Sequence, residues 1–279
     1  NKFDLPYLEF MVMRNCNLSC DGCTTFSDYT HPGSYPKIEE IISDLKMWAE
    51  RVNYDHLGTM GGEPLLNPYI QDLIVRIREE FPHVTIRFVT NGLLLERHKP
   101  LIDKLHEIGN VILKISKHVN DERVKNIVKY IMDRFDWEPV TEFHIHRWLT
   151  TNNFRFQVNA PEKFFRTFRG TYFNMQPHDN NPVEAFDLCV QKTCPLLYDG
   201  KLFKCGTLAL TPDILAKTKQ LDKPEWAPYI NAGLDITASD ADLEKWIKNF
   251  GKPNAVCRQC PTKHNSESII DHRKNVTFK

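Results

Sequence analysis

The sequence predicts an α/β protein built on a parallel sheet, followed by a smaller cysteine-bearing C-terminal unit. Three observations carry this expectation. Strand-like and helix-like segments alternate up to about residue 150, the alternation then fades, and the eight cysteines fall into separate groups. "LEFMVM" reads as a buried strand that leads into "RNCNLSCDGCTTF". The segment "PKIEEIISDLKMWAERV" follows, with apolar residues at Ile38, Ile41, Ile42, Leu45, Trp48 and Val52, a helical period. "HLGTMGGEP" reads as a strand end and turn, "PYIQDLIVRIREEF" as a helix, "VTIRFVTNG" as a strand and "ERHKPLIDKLHEIG" as a helix. "NVILKIS", "DERVKNIVKYIMDRF" and "TEFHIHRWL" continue the series as strand, helix and strand. Strands alternating with helices imply parallel pairing through right-handed crossovers. Beyond them, "NNFRFQVNAPEKFFRTFRGTYFNM" fits no clear period, and "QPHDNNPVEAFD" reads as a linker or loop. A boundary near residue 180 divides the chain into units 1–180 and 181–279.

A chain of 279 residues with 41% hydrophobic content and 17 Phe can bury one large core, or one core plus a small appended domain. Thirty-six basic side chains balance thirty-six acidic ones, so net charge recommends neither nucleic acid nor a membrane surface as partner. No apolar run approaches the roughly 20 residues a bilayer span needs, and "NKFDLPYLEF" lacks the regions of a signal peptide. The expected location is cytoplasmic. Cysteines grouped at 16, 20 and 23, at 189, 194 and 205, and at 257 and 260 are too sparse for a disulfide scaffold. In a reducing compartment such grouping favours metal ligation.

Cys16, Cys20 and Cys23 are spaced C-x3-C-x2-C on one short loop. Three thiolates can hold three irons of a [4Fe-4S] cube and leave the fourth iron open to a ligand that is not protein. A structural zinc knuckle that borrows a fourth ligand is the competing reading. The second motif is "TMGGEP", residues 59–64, where paired glycines let the backbone come close to a ligand and Glu63 adds a carboxylate.

With that pair of motifs in a βαβ context, the chain resembles the radical S-adenosylmethionine (radical SAM) enzymes over roughly residues 5 to 150. The resemblance implies a partial (β/α)6 barrel with its site at the C-terminal ends of the strands. It implies that Cys16, Cys20 and Cys23 ligate a [4Fe-4S] cluster, and that the open iron is chelated by the methionine part of S-adenosyl-L-methionine. Reductive cleavage then yields a 5'-deoxyadenosyl radical that abstracts a substrate hydrogen. By match to the motif, Gly61, Gly62 and Glu63 contact the methionine amino group. Thr90 and Asn91 in "VTNG", Ser116 in "LKISKH" and Arg147 in "IHRW" fall where the family contacts SAM, although strand-end polar chemistry accounts for them equally well. The residue before the third cysteine is commonly aromatic in the family and is Gly22 here; Phe26 is the candidate to fill its space near adenine.

In the late sequence, "CVQKTCPLLYDGKLFKC" carries an Asp-Gly hairpin between short apolar strands, followed by "CRQC". A zinc ribbon is one reading. The family resemblance supplies another, an auxiliary-cluster extension of the SPASM or, with one cluster, Twitch kind. It implies a second [4Fe-4S] cluster, with Cys205, Cys257 and Cys260 as ligands and the fourth place left open between Cys189 and Cys194. The remaining thiol is either buried filler or a hydrogen donor or substrate ligand, so both Cys189 and Cys194 are candidate catalytic residues.

The expected reaction is a radical oxidation of a small molecule such as a sugar, cyclitol or nucleotide derivative. Epimerisation or modification of a peptide side chain is the alternative, and a noncatalytic zinc protein stands behind both. Only a handful of residues precede "LEFMVM", so a leader peptide has no obvious dock. An external one-electron donor such as flavodoxin or ferredoxin is the expected protein partner.

Overall fold

The computed structural model describes residues 2–20, 22–29, 35–142, 145–160 and 165–263. Nine strands form one sheet: β1 (Phe3–Met13), β2 (Val52–Gly61), β3 (Thr85–Thr90), β4 (Val111–Ser116), β5 (Glu138–Glu142), β6 (Ile145–Leu149), β7 (Phe154–Asn159), β8 (Leu196–Tyr198) and β9 (Lys201–Phe203). Their order is β5-β6-β7-β4-β3-β2-β1-β8-β9. The six strands from β7 across to β8 pair in parallel, while β5, β6 and β9 run antiparallel at the two sides.

Helices α1 (Ile38–Ala49), α2 (Ile70–Glu80), α3 (Lys99–Ile108) and α4 (Glu122–Arg134) connect the first strands as the periodicity predicts. Each buries one stripe: Ile41, Ile42, Leu45 and Trp48 on α1, Leu73, Ile74 and Ile77 on α2, Leu101, Ile102 and Leu105 on α3, and Val124, Ile127 and Ile131 on α4. Those stripes share one core with Leu8, Phe10 and Val12 of β1, Leu57 of β2, Ile86 and Phe88 of β3, and Leu113 and Ile115 of β4. Alternation along a strand turns the intervening residues to the opposite face. That face carries the site.

The remaining helices are α5 (Pro182–Leu188), α6 (Gly206–Lys217), α7 (Ala227–Ile230) and α8 (Asp240–Asn249). Helix α6 packs Leu208, Leu210, Ile214 and Leu215 into a second core with Met11, Phe168, Leu196 and Phe203. The Asp199-Gly200 hairpin forms as expected, with both residues at positive φ (47° and 72°). It is tied to α1, since Trp48 Nε1 donates to Gly200 O at 2.8 Å and Gly200 N donates to Asp44 at 3.1 Å.

Three segments depart from the expectation. "TEFHIHRWL" is not one strand: its two ends belong to β5 and β6, which pair antiparallel. The parallel neighbour of β4 is β7, which lies in the stretch that showed no period. Asn153 explains the difference, because its positive φ (62°) makes the tight turn that brings β7 back beside β6. Within "QPHDNNPVEAFD", α5 starts at Pro182 and is capped by Asn181, which accepts from the backbone N–H of Val183 and Glu184. Strands β8 and β9 lie beyond the boundary expected near 180, yet they extend the same sheet beside β1.

Candidate functional site

The pairing of β1 with β2 slips by one residue between Met11 and Met13, and the chain then leaves the sheet as the cysteine loop. At the matching end of β2 the chain turns under this loop. Gly62 N donates to Met13 O at 2.9 Å, and Glu63 N donates to Asn15 O at 2.8 Å. A Cβ on Gly61 would lie 2.4 Å from Met13 O, and one on Gly62 would lie 2.1 Å from Asn15 O and 2.8 Å from Cys16 N. The close approach that these glycines permit is therefore first to the cysteine loop itself.

Cys16, Cys20 and Cys23 line a cavity of about 530 Å³ together with Gly61, Gly62, Asn91 and Ser116. That volume suits a ligand of nucleoside size. Burial first, then Glu63 and the neighbouring thiols, pushes Cys16 well above the usual thiol range; burial and Cys23 push Cys20 up to about 12. Three clustered thiols are costly to ionise without a metal, and a bound iron would offset that cost. Cys16 Sγ also accepts from the backbone N–H of Leu18 at 3.4 Å. These features fit an iron–sulfur cluster, for which the three thiols supply ligands and leave one position open to the cavity.

Glu63 is fully buried and does not line this cavity. Its carboxylate accepts from Leu65 N at 3.1 Å, Thr90 Oγ1 at 2.7 Å and Asn91 N at 2.8 Å, which fixes the end of β3 beside the loop. Burial nevertheless raises its pKa to about 7. Asn91 Nδ2 donates to Asn17 Oδ1 at 2.6 Å and so holds the loop from the other side. Arg147 lies on β6, where its Nε donates to Gln157 Oε1 at 3.1 Å, and it does not line the cavity. Phe26 does not line the cavity either: it is buried against Phe168, with ring centroids 6.1 Å apart. At position 22 a side chain is opposed twice, by a φ of +75° and by the backbone of Phe165 3.0 Å from any Cβ.

The structure separates the late cysteines. Cys189, Cys205, Cys257 and Cys260 line one small cavity with Lys204 and Gln191. They come from the end of α5, the residue before α6, and the short turn Ala255–Gln259 with the residue after it. Burial raises Cys205 to about 12 and Cys260 well above the usual range, and in both cases the other thiols of the set add to the rise. Cys189 Sγ accepts from Gln191 N at 3.2 Å. Four mutually interacting thiols with a backbone N–H on one sulfur fit a closed cluster site. Cys194 is elsewhere, on the wall of the large cavity near Glu9, which after burial itself is the largest cause of its rise to about 12. Among the described residues no three His, Cys, Asp or Glu side chains converge on a single-ion position.

Gln191 borders both cavities, donating to Thr24 Oγ1 at 3.1 Å and accepting from Thr207 Oγ1 at 3.3 Å. The sequence reading also missed Glu9, Arg87, Lys114 and His118 on the large cavity's wall. The signal was present: Glu9, Arg87 and Lys114 are charges inside otherwise apolar strands.

The family model of the Radical SAM superfamily matches residues 10–144. Just under half of the chain is thus similar to that superfamily. Among curated proteins, the GTP 3',8-cyclase of Staphylococcus haemolyticus is 29% identical over 153 residues, which cover 50% of this chain and 43% of the cyclase. Molybdenum cofactor biosynthesis protein 1 of Bos taurus is 29% identical over 55% of this chain and 23% of its own length. The pyruvate formate-lyase 1-activating enzyme of Escherichia coli K12 is 26% identical over 45% of this chain and 52% of its own. The match thus spans about half or less of these relatives. The crystal structure of BtrN in complex with AdoMet and 2-DOIA superposes with a TM-score of 0.49 at 14% identity, covering 96% of this chain and 95% of that one. Among the described residues, no helix is long and apolar enough to cross a membrane.

Proposed function

We propose that the chain is a radical SAM enzyme that abstracts a hydrogen from a small molecule held in the cavity beneath the cysteine loop. The observation that carries this reading is the meeting of three thiols, the Gly61–Gly62 turn, Asn91 and Ser116 around one cavity of about 530 Å³. When bound, a [4Fe-4S] cluster and S-adenosyl-L-methionine supply a 5'-deoxyadenosyl radical to that space.

Cys16, Cys20 and Cys23 hold the cluster, and the turn at Gly61 and Gly62 receives the methionine amino group. Glu63 acts one step back, through the ends of β2 and β3 that it ties together. The six parallel strands curve as the partial (β/α)6 barrel, and residues 181–279 form an auxiliary unit of the Twitch kind. Cys189, Cys205, Cys257 and Cys260 hold its cluster. A flavodoxin or ferredoxin delivers the electron for SAM cleavage, in the cytoplasm.

The favoured reaction is an oxidation. When bound, the cofactors would take up one hydrogen atom and then one electron from the substrate, a proton would leave to solvent, and the product would be two hydrogens lighter. The placement of Cys194 favours a second reading. Its high pKa keeps it as S–H, and S–H can return a hydrogen atom to the opposite face of the carbon; an auxiliary cluster held by the other late cysteines would supply the electron that, with a proton from solvent, restores the thiol. Turnover in heavy water separates the two. A product two mass units lighter without solvent deuterium supports oxidation; an isomer with one carbon-bound deuterium, lost in Cys194→Ala, supports hydrogen return. Absence of 5'-deoxyadenosine from reduced, reconstituted protein, or zinc without sulfide, would overturn both.

A further inference from the structure

Below the cysteine loop, the cavity wall holds an ionic cluster that the proposed SAM contacts do not use. The strand register sets it up. Glu9 on β1 pairs with Gly58 on β2, and Gly58 pairs with Arg87 on β3, so the three residues lie in one row across the sheet. Lys114 on β4 lies two residues before Ser116, on the same strand face and deeper in the cavity. The middle of the row must lack a side chain, because a Cβ on Gly58 would lie 2.3 Å from the Tyr7 hydroxyl. Through that opening Tyr7 donates to Glu9 Oε1 at 2.7 Å, and the Arg87 guanidinium sits 5.5 Å from the Tyr7 ring centre.

The charges do not close on themselves. Glu9 Oε1 is taken by Tyr7, and Glu9 Oε2 is buried with no nitrogen or oxygen donor among the described residues, with only the weak donor of the Cys194 thiol beside the carboxylate. Lys114 has neither a hydrogen bond nor an ion pair among them, though it is largely shielded from water and its pKa is lowered to about 8 by burial and then by Arg87. Arg147 adds a third cation close enough to depress Lys114 further. A cation such as Lys114, held away from water without a partner, is costly, and a ligand that brings the counter-charge removes the cost. Among the described residues only Glu9 opposes Arg87 and Lys114 on this wall, and the Cys194 thiol beside them stays protonated.

We propose that Arg87 and Lys114 form an anion subsite at the base of the cavity, so that the substrate of the reaction proposed above is a small molecule carrying a phosphate or carboxylate group. Oxygens of that group lie between the guanidinium and the ammonium. The free Oε2 of Glu9 accepts from a hydroxyl or amine of the same molecule, and the end bearing the reactive carbon points toward the cysteine loop. This deepens the radical SAM reading and rests on it for the word substrate, while the anion site itself stands on the wall geometry.

The test is anaerobic calorimetry on cluster-loaded protein with SAM present, using ribose 5-phosphate and glucuronate as probes and neutral ribose and glucose as their counterparts. The charged probes are expected to bind at least tenfold more tightly than the neutral ones. The stronger of the two distinguishes a phosphate from a carboxylate site. Arg87→Gln and Lys114→Gln should each weaken the charged probe at least tenfold while iron content, visible absorption and SAM affinity persist. Arg87 packs on Tyr7, so Lys114→Gln keeps the test decisive if the arginine variant fails to fold. Equal binding of charged and neutral sugars by the parent protein, or unchanged affinity in Lys114→Gln, would overturn the subsite. Anion binding in a protein that never cleaves SAM would leave the subsite standing and overturn the radical reading instead.

Discussion

The two cysteine sets differ in how many segments build them and in what they face. Cys16, Cys20 and Cys23 come from one loop after β1 and open onto a cavity of about 530 Å³. Cys189, Cys205, Cys257 and Cys260 come from three separate places in the chain and line a small cavity of their own. Three thiols leave a cube one open corner, whereas four close it. On the proposed reading, the first set would serve a ligand that enters and leaves, and the second a centre that holds its place and exchanges electrons. Lys204 reinforces the second set: it is buried, donates to the backbone carbonyls of Phe250 and Lys252, and faces the thiols as a fixed cation.

Removing the open set should have the largest effect. Alanine at Cys16, Cys20 or Cys23 is expected to remove roughly four irons per chain and abolish 5'-deoxyadenosine formation, because on the proposed reading each thiolate holds one iron. Iron and sulfide analysis with chromatography of the nucleoside checks this; a variant that still makes 5'-deoxyadenosine breaks the comparison at its root.

The closed set gives the next effect and the sharper test. Alanine at Cys189, Cys205, Cys257 or Cys260 should again remove roughly four irons, yet leave reductive SAM cleavage in place. Cys194→Ala should keep the full iron content. If Cys194→Ala lost iron and Cys189→Ala did not, the division of the late cysteines between two cavities would be wrong.

Gly62→Val comes third. Its side chain would be driven into Asn15 O and Cys16 N, so the cost, about 1–3 kcal/mol for an overpacked site, falls on the cysteine loop as well as on the SAM pocket. Weaker SAM binding, by tenfold or more in equilibrium dialysis, should come with partial loss of iron from the first site. Full iron content with weak SAM binding would show that the turn serves the ligand alone.

The smallest effect concerns Glu63. Its pKa is raised by burial from the ordinary 4.5 to about 7, so the folded state holds a proton that the unfolded chain releases. This contribution to stability is complete below about pH 4.5 and fades as pH rises through about 7, amounting to roughly 3 kcal/mol at most. Glu63→Gln should flatten the thermal-unfolding midpoint against pH across that window. An unchanged profile would mean that the carboxylate stays ionised on its three hydrogen bonds.

Much of this was legible in the sequence because it is local. The C-x3-C-x2-C loop, the paired glycines at the end of β2, the amphipathic stripes of α1 to α4 and the Asp199-Gly200 turn each follow from a few neighbouring residues and from periods of 3.6 or 2. The Radical SAM match over residues 10–144 falls on that same local pattern. What only the tertiary structure decided depends on register and on contacts between distant segments. Spacing alone could not assign Cys189 and Cys194, because five residues of chain can turn either way; β8 pairing beside Glu9 sends one thiol to each cavity. Nor could spacing show that β7 rather than residues 141–149 lies against β4, since that choice turns on Asn153 at positive φ. Glu9, Arg87 and Lys114 look like isolated charges in three apolar strands until parallel pairing sets them on one cavity wall. A side chain's identity is written in the chain, but the partner across a sheet is chosen by which strands lie next to each other.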